Sequence, residues 1–206
     1  MLKLTKKMGG KMKGFWSINT SPLNNPFCQK MATTEAICSK CYSQRLEKFY
    51  GAVKCIGNGT GKVVSWVNNG VILSERLFKD YEIPLYTHRP LMRFSAHGEL
   101  FNKTHLKNFI AIAEANPQTY HALWTKRVDL TVNCLKKLDN LQYVYSVAKM
   151  NKEGVKVPKG FDKVFTVFNK EYIKATGVEI NCQKNCMACL ICYVPNSITH
   201  VNEQIK

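Results

Sequence analysis

The sequence predicts an α/β protein, a partial or distorted (β/α) barrel with cysteine-rich irregular segments at both ends. Apolar runs alternate with helical patterns in the middle of the chain, and cysteines crowd its two ends. With 206 residues, 45% of them hydrophobic, the chain can bury one core, so we expect a single domain. Its predicted parts are a Cys-rich N-terminal region (1–60), a βα core (85–170) and a Cys-rich C-terminal segment (177–206).

The N-terminal region is rich in Gly, Asn and Lys, and it carries the first cysteine group. Cys28, Cys38 and Cys41 have the spacing C-x9-C-x2-C. A C-x2-C pair places two thiolates on one tight turn, about a single metal ion or one edge of a cluster. We therefore expect a loop-dominated region that a bound metal fixes in place.

The βα core begins with a predicted strand at 91–95, which ends in a polar turn at 96–99. Asn102 suits a helix N-cap, and apolar residues follow it at helical spacing until Asn116-Pro117. A second helix is predicted at 128–138, and further strands at 120–124, 142–147 and 163–168. Strands separated by helices favour parallel pairing, either in a partial or distorted barrel or in an open parallel sheet. Chemistry in such folds collects at the carboxyl ends of the strands.

The C-terminal segment carries Cys182, Cys186, Cys189 and Cys192 with the spacing C-x3-C-x2-C-x2-C. Thiolates this close repel one another, and a bound cation or cluster offsets the repulsion. The alternative is that the cysteines are small buried apolar residues, which suits Cys134 on a presumed helix. No export signal is evident, so disulfides are disfavoured and metal ligation is the better account of nine cysteines.

Sites made of cysteine alone suit both zinc and iron–sulfur clusters, and the uneven spacing favours iron–sulfur, with zinc as the alternative. Three N-terminal cysteines can hold a 4Fe-4S cluster with one iron left open. Four C-terminal cysteines can close a second centre, which would suit a redox or electron-transfer protein with an electron donor as partner. In a rival arrangement, both groups share one cluster.

The net charge of +16 makes nucleic acid a plausible partner, and it suggests a nucleic-acid-binding module with a structural zinc or cluster as an alternative function. Aromatic residues such as Trp124 could stack bases, although core packing also explains them. No apolar run is long enough to span a bilayer, so we expect no membrane partner and a cytoplasmic location.

Four segments resemble the phage gene product 88 family over about residues 14–150. They are Phe15 with Ser17, the run CSKCYSQ at 38–44, the run RFSAHGELF at 93–101, and the run WTKR at 124–127. The resemblance places the protein in the host cytoplasm. The family in turn is similar to shortened radical S-adenosylmethionine enzymes, which implies a radical enzyme of unknown substrate.

The resemblance implies that Cys28, Cys38 and Cys41 are cluster ligands and that S-adenosylmethionine is a further cofactor. It also implies that the cavity below the cluster is lined by polar residues at the strand ends. We predict His97, Glu99 and Lys126 as catalytic residues and Ser95 and Thr125 as cofactor contacts. A hydrogen-bonded turn is the alternative for His97 and Glu99, and surface charge for Lys126. The run 57–61 is a candidate contact for S-adenosylmethionine, or an ordinary turn.

Overall fold

The computed structural model describes residues 2–6, 8, 10–54, 68–87, 90–131 and 133–205. Within these residues, six strands form one sheet in the order β1-β2-β3-β4-β5-β6, and every neighbouring pair is parallel. The strands are β1 (Trp16–Ile18), β2 (Leu91–Phe94), β3 (Tyr120–Thr125), β4 (Leu141–Ser146), β5 (Lys163–Phe168) and β6 (His200–Gln204). The α-helices are α1 (Pro26–Ala32), α2 (Tyr42–Lys54), α3 (Asn69–Glu75), α4 (Lys103–Ala115), α5 (Val128–Thr131), α6 (Lys170–Thr176) and α7 (Cys186–Cys189).

The strands predicted in the core are confirmed as β2 to β5, with ends that differ by one residue at most. The parallel pairing is confirmed as well. The helix predicted after Asn102 is α4, and the Asn102 side chain accepts a hydrogen bond from the backbone N–H of His105 at 2.9 Å. This cap satisfies one of the free donors at the start of the helix.

The helix predicted at 128–138 is wrong beyond its first turn, because α5 ends at Thr131. Asn133 has a φ of 57°, a left-handed conformation that cannot continue an α-helix. The backbone N–H of Cys134 then bonds the carbonyl of Thr131 in a tight turn. Asparagine tolerates this conformation better than most residues, which explains why the chain turns here.

The two terminal regions are more regular than predicted. The N-terminal region contains β1, α1 and α2, so the prediction of a loop-dominated region is wrong. The C-terminal segment contains α7 and the strand β6, which pairs with β5 from Val164↔His200 to Phe168↔Gln204. Both ends of the chain therefore contribute strands to the sheet.

The two faces of the sheet have different coverings. The first, which we call the helix face, packs against α3 and α4, and the ring of Phe94 stacks on that of Phe109 at 4.3 Å. The second, which we call the terminal face, includes Ala122 and Val144 and is covered by segments from both ends of the chain. Phe15 and Tyr193 meet there with ring centroids 4.6 Å apart. The terminal face is therefore where the two cysteine-bearing ends of the chain approach the sheet.

None of the helices in the described part of the chain has the length and apolar character needed to cross a membrane.

Candidate functional site

The first cysteine group is fastened to the edge of the sheet where the parallel strands end, which we call the carboxyl edge. Asn25 caps α1 by accepting from the backbone N–H groups of Phe27 and Cys28, and its amide donates to the carbonyl of Glu99 at 2.9 Å. The phenolic O–H of Tyr42 donates to the carbonyl of Ala96 at 3.0 Å. The segment after β1 is thus held against the loop after β2.

Cys28, Cys38 and Cys41 lie close together at this edge. Cys28 is on α1, and Cys38 and Cys41 belong to the 3-10 turn before α2, with the Cys41 N–H donating to the Cys38 carbonyl at 3.1 Å. Burial raises the pKa of the Cys28 thiol, and the charges of Glu99, Cys41 and Cys38 raise it further. The mutual effect of the thiols shows that the fold brings these three cysteines into one electrostatic environment.

Lys126 supplies positive charge to this group. Its charge lowers the pKa of both Cys28 and Cys38, against the raising effect of burial. The Lys126 ammonium also donates to the hydroxyl of Ser146 at the end of β4, at 2.6 Å. The predicted residue Lys126 therefore faces the cysteine group and is held there by a neighbouring strand end.

Glu99 is completely buried and organises the loops around it. Its carboxylate accepts from the Thr125 hydroxyl at 2.6 Å, from the backbone N–H of Lys126 at 2.7 Å and from the N–H of Leu100 at 2.8 Å. Burial raises the pKa of Glu99, and these hydrogen bonds act in the opposite direction. With its oxygens engaged in this way, Glu99 positions Thr125 and Lys126 at the carboxyl edge.

His97 is buried beside the first cysteine group. Its Nδ1 lies 2.8 Å from the hydroxyl of Ser43, two residues after Cys41, and its ring packs against that of Tyr42. Burial, together with the charge of Arg93, lowers the pKa of His97 to about 4. The imidazole is therefore neutral near pH 7. Its Nδ1 is hydrogen-bonded to Ser43 Oγ.

The two predicted cofactor contacts differ in how far they are engaged. Thr125 donates to Glu99 and accepts from the N–H of Arg127 at 2.9 Å. Ser95 is buried with a φ of 57°, and its hydroxyl has no hydrogen-bond partner within the described residues. A left-handed serine with an unsatisfied hydroxyl costs free energy, and such features concentrate at functional sites. Ser95 is thus the better placed of the two to bind a ligand.

The second cysteine group lies on the terminal face, and its four members line one small cavity: Cys182, Cys186, Cys189 and Cys192. The backbone N–H of Cys182 donates to the carbonyl of Asn202 on β6 at 3.0 Å. Asn185 caps α7 by accepting from the N–H of Met187 at 2.8 Å. Burial raises the pKa of Cys192 to about 12, and the other cysteines of the group raise it too.

Basic side chains lie around this second group, and Glu203, which pairs with Lys11, raises the pKa of Cys182 and Cys186. Lys11 donates to the Cys182 carbonyl at 2.7 Å, and its Nζ is 3.7 Å from the Cys182 sulfur. The charge of Arg93 lowers the pKa of Cys186 and Cys192 against the effect of burial. The charge of Cys192 in turn raises the pKa of the buried Lys163, opposing the lowering by burial. These cations favour thiolates in the second group.

The fold therefore gives each cysteine group its own charged surroundings, Glu99 and Lys126 for the first and Arg93 and Lys11 for the second. In the arrangement that the described residues adopt, no three or more His, Cys, Asp or Glu side chains form the geometry of a metal site. By their chemistry, thiols are the donors that a thiophilic metal prefers. The glycine-rich run 57–61 lies outside the described residues.

Sequence reasoning missed the basic residues of the terminal face. Arg93 lies two residues before Ser95 on β2, and its guanidinium packs on the Trp124 ring at 3.9 Å from the centroid. Strand alternation could have placed Arg93 on the same face as Ala122, but not beside Cys186, because that contact depends on how the C-terminal segment returns across the sheet.

Comparison with protein-family models matches residues 3–204 to Gene product 88. Neither the curated proteins nor the solved structures contain a significant match. The match covers nearly the whole chain, so this protein belongs to the Gene product 88 family.

Proposed function

We propose that this member of the Gene product 88 family binds an iron–sulfur cluster through Cys28, Cys38 and Cys41 and is an enzyme related to the radical S-adenosylmethionine enzymes. The observation that carries the proposal is that α1 and the following turn bring three thiols into one electrostatic environment at the carboxyl edge, with Lys126 and Glu99. In parallel α/β proteins, this edge is where catalytic and cofactor-binding residues collect.

The sheet topology supports the relationship to radical enzymes. All six strands are parallel and follow one another in chain order, and the connections that contain α3 and α4 pack on the helix face. This chain order is that of a (β/α) barrel, and in the proposed partial barrel the terminal face would be the interior. The carboxyl edge is then the mouth of the barrel, with the first cysteine group above it.

When bound, a 4Fe-4S cluster with three cysteine ligands provides one open iron and one-electron chemistry. The surrounding residues have separate tasks. Lys126 offsets the negative charge of the thiolates, and Glu99 holds Lys126 and Thr125 in position. Ser95 offers a buried hydroxyl to a ligand such as S-adenosylmethionine. His97 is neutral and its Nδ1 is hydrogen-bonded to Ser43, so proton exchange between Nδ1 and a ligand would pass through the Ser43 hydroxyl. An electron donor is the partner that such a function requires.

Anaerobic reconstitution with iron and sulfide tests the proposal. The full-length protein should take up iron and acid-labile sulfide, absorb broadly near the violet end of the visible spectrum, and show a paramagnetic signal on reduction. A Cys38→Ser, Cys41→Ser double variant should lose the signal of an open-site cluster. Cys134→Ser is the matched control, because Cys134 lies outside both groups.

The proposal is refuted if the reconstituted protein contains stoichiometric zinc without sulfide, or if the double variant keeps the signal of the parent protein. Addition of S-adenosylmethionine to the reduced protein provides the second measurement. Binding at the open iron should change the paramagnetic signal, and a Ser95→Ala variant should need more S-adenosylmethionine for the same change.

The net charge of +16 favours a second function, the binding of nucleic acid, with the metal then structural. Two of the aromatic residues considered for stacking lend it no support, since Tyr143 is fully buried and Trp124 packs between Arg93 and Phe165, whereas Tyr42 is half exposed. Titration of labelled DNA and RNA at increasing salt tests this function. Affinity should fall linearly with salt on logarithmic axes. Absence of binding at low salt eliminates it.

A further inference from the structure

The second cysteine group encloses a much smaller space than a cluster needs. The cavity that its four cysteines line has a volume of about 20 Å³. Roughly 10–15 Å³ of such volume holds one water molecule, so the cavity has room for one particle of that size. A 4Fe-4S cluster contains eight inorganic atoms and does not fit without displacing the lining residues, which include the core residues Tyr193 and Val201.

The backbone around the cavity is fixed at three points. Cys182 is bonded to β6, and Asn185 caps the start of α7. At the other end, Leu190 takes a left-handed φ of 58°, and its N–H donates to the Cys186 carbonyl at 3.0 Å. Cys186 and Cys189 are therefore presented from one helical turn, three residues apart. Rotation about χ1 can redirect their sulfur atoms.

The charge around the cavity suits a single ion with four thiolates. Such a centre with a divalent metal has a formal charge of −2, which is costly to bury without compensation. Lys11 lies against Cys182, although Glu203 pairs with it and opposes its effect. Arg93 acts on Cys186 and Cys192, and Lys163 is buried near Cys192. Arg93 Nε is buried and has no hydrogen-bond partner within the described residues, so a donor is available to a thiolate.

We propose that Cys182, Cys186, Cys189 and Cys192 bind one tetrahedral divalent ion of the zinc class, and that this ion fastens the C-terminal segment to the terminal face. The inference deepens the proposed metal-binding function and rests on it. It gives the two cysteine groups different metals. The open-site cluster belongs to the carboxyl edge, and a closed centre of four thiolates belongs to the terminal face.

Two variants of the full-length protein, purified without oxygen, separate the two centres. The first replaces Cys28, Cys38 and Cys41 by serine, and the second replaces Cys186 and Cys189. Iron, zinc and acid-labile sulfide are measured per chain. The first variant should keep one divalent ion and contain no sulfide, and the second should keep iron and sulfide and lose that ion. Cobalt in the first variant should show the intense visible bands of tetrahedral cobalt thiolate.

The outcomes distinguish the inference from the proposed function. Iron with equivalent sulfide in the first variant, or no retained metal in it while the parent protein holds a cluster, overturns the inference alone. Absence of all metal from the parent protein overturns both. Circular dichroism verifies that each variant is folded.

If the second variant does not fold, Arg93→Met replaces it, with Arg76→Met as a control distant from the cysteines. Loss of the compensating charge should weaken retention of the ion against a chelator by about tenfold, and unchanged retention counts against the inference.

Discussion

Acidification should destabilise this protein steeply because three histidines are buried in the neutral state. Burial lowers the pKa of His105 to about 3 and that of His121 to about 4, and the pKa of His97 is also about 4. In the unfolded chain, each returns to the ordinary value of about 6.5. Between these values, the unfolded chain binds more protons than the folded one, so stability is lost as the pH falls.

The size of the effect follows from these pKa values. At pH 5, unfolded histidine is almost fully protonated while the three buried imidazoles remain neutral. Relative to pH 7, each takes about 2 kcal/mol from the free energy of unfolding, or about 6 kcal/mol together. Most domains have only about 5–15 kcal/mol in total. Glu99 acts in the opposite direction, because its raised pKa contributes stability that is lost as the pH rises.

Urea unfolding of the metal-free protein between pH 8 and pH 5, monitored by circular dichroism, measures this dependence without a contribution from metal ligands. His105→Gln removes one of the protons that are taken up on unfolding. The slope of the free energy of unfolding against pH should therefore fall by about 1.4 kcal/mol per pH unit. His200→Gln is the control, because His200 is exposed on β6. A free energy that stays constant between pH 7 and pH 5, or an unchanged slope in His105→Gln, refutes the reasoning.

Two substitutions test the loops of the carboxyl edge. Glu99→Gln should lower the free energy of unfolding by about 1–3 kcal/mol, because an amide group replaces an oxygen that accepts from a buried backbone N–H; Glu114→Gln, at an exposed ion pair, should change it by less than about 1 kcal/mol. Gly98→Ala should cost roughly 1–3 kcal/mol more than Gly154→Ala. Both glycines have positive φ, but only at Gly98 would the new Cβ overlap the oxygens of Thr20. Equal effects within either pair, measured by urea unfolding, would contradict the arrangement of these loops.

The middle of the sheet could be predicted because its strands are buried on both faces. β5, with the sequence KVFTVF, is buried at every position, so its apolar and β-branched residues identify it as a strand. The strands at the two edges give no such signal. β1 has only three residues, and β6 reads HVNEQ with one fully buried position. These strands form because β1 pairs with β2 and β6 pairs with β5. Such pairing between distant segments cannot be predicted from the local sequence pattern.

The residues of the carboxyl edge could be predicted, but their tasks could not. Parallel topology alone places Ser95, Glu99 and Thr125 near one another, as the structure shows. Sequence could not reveal that three donors engage Glu99 whereas Ser95 retains a free hydroxyl among the described residues, since both facts depend on distances between loops. The basic surroundings of the second cysteine group were missed for the same reason. Lys11 is separated from Cys182 by 171 positions in the chain.

Strand β2 links the surroundings of the two cysteine groups. Phe94 anchors the strand on the helix face, while Arg93 points to the terminal face and acts on Cys186 and Cys192. Beyond the strand end, His97 contacts the segment that carries the first cysteine group. The charge of Arg93 also lowers the pKa of His97. One guanidinium therefore acts electrostatically both on His97, beside the first cysteine group, and on Cys186 and Cys192 of the second.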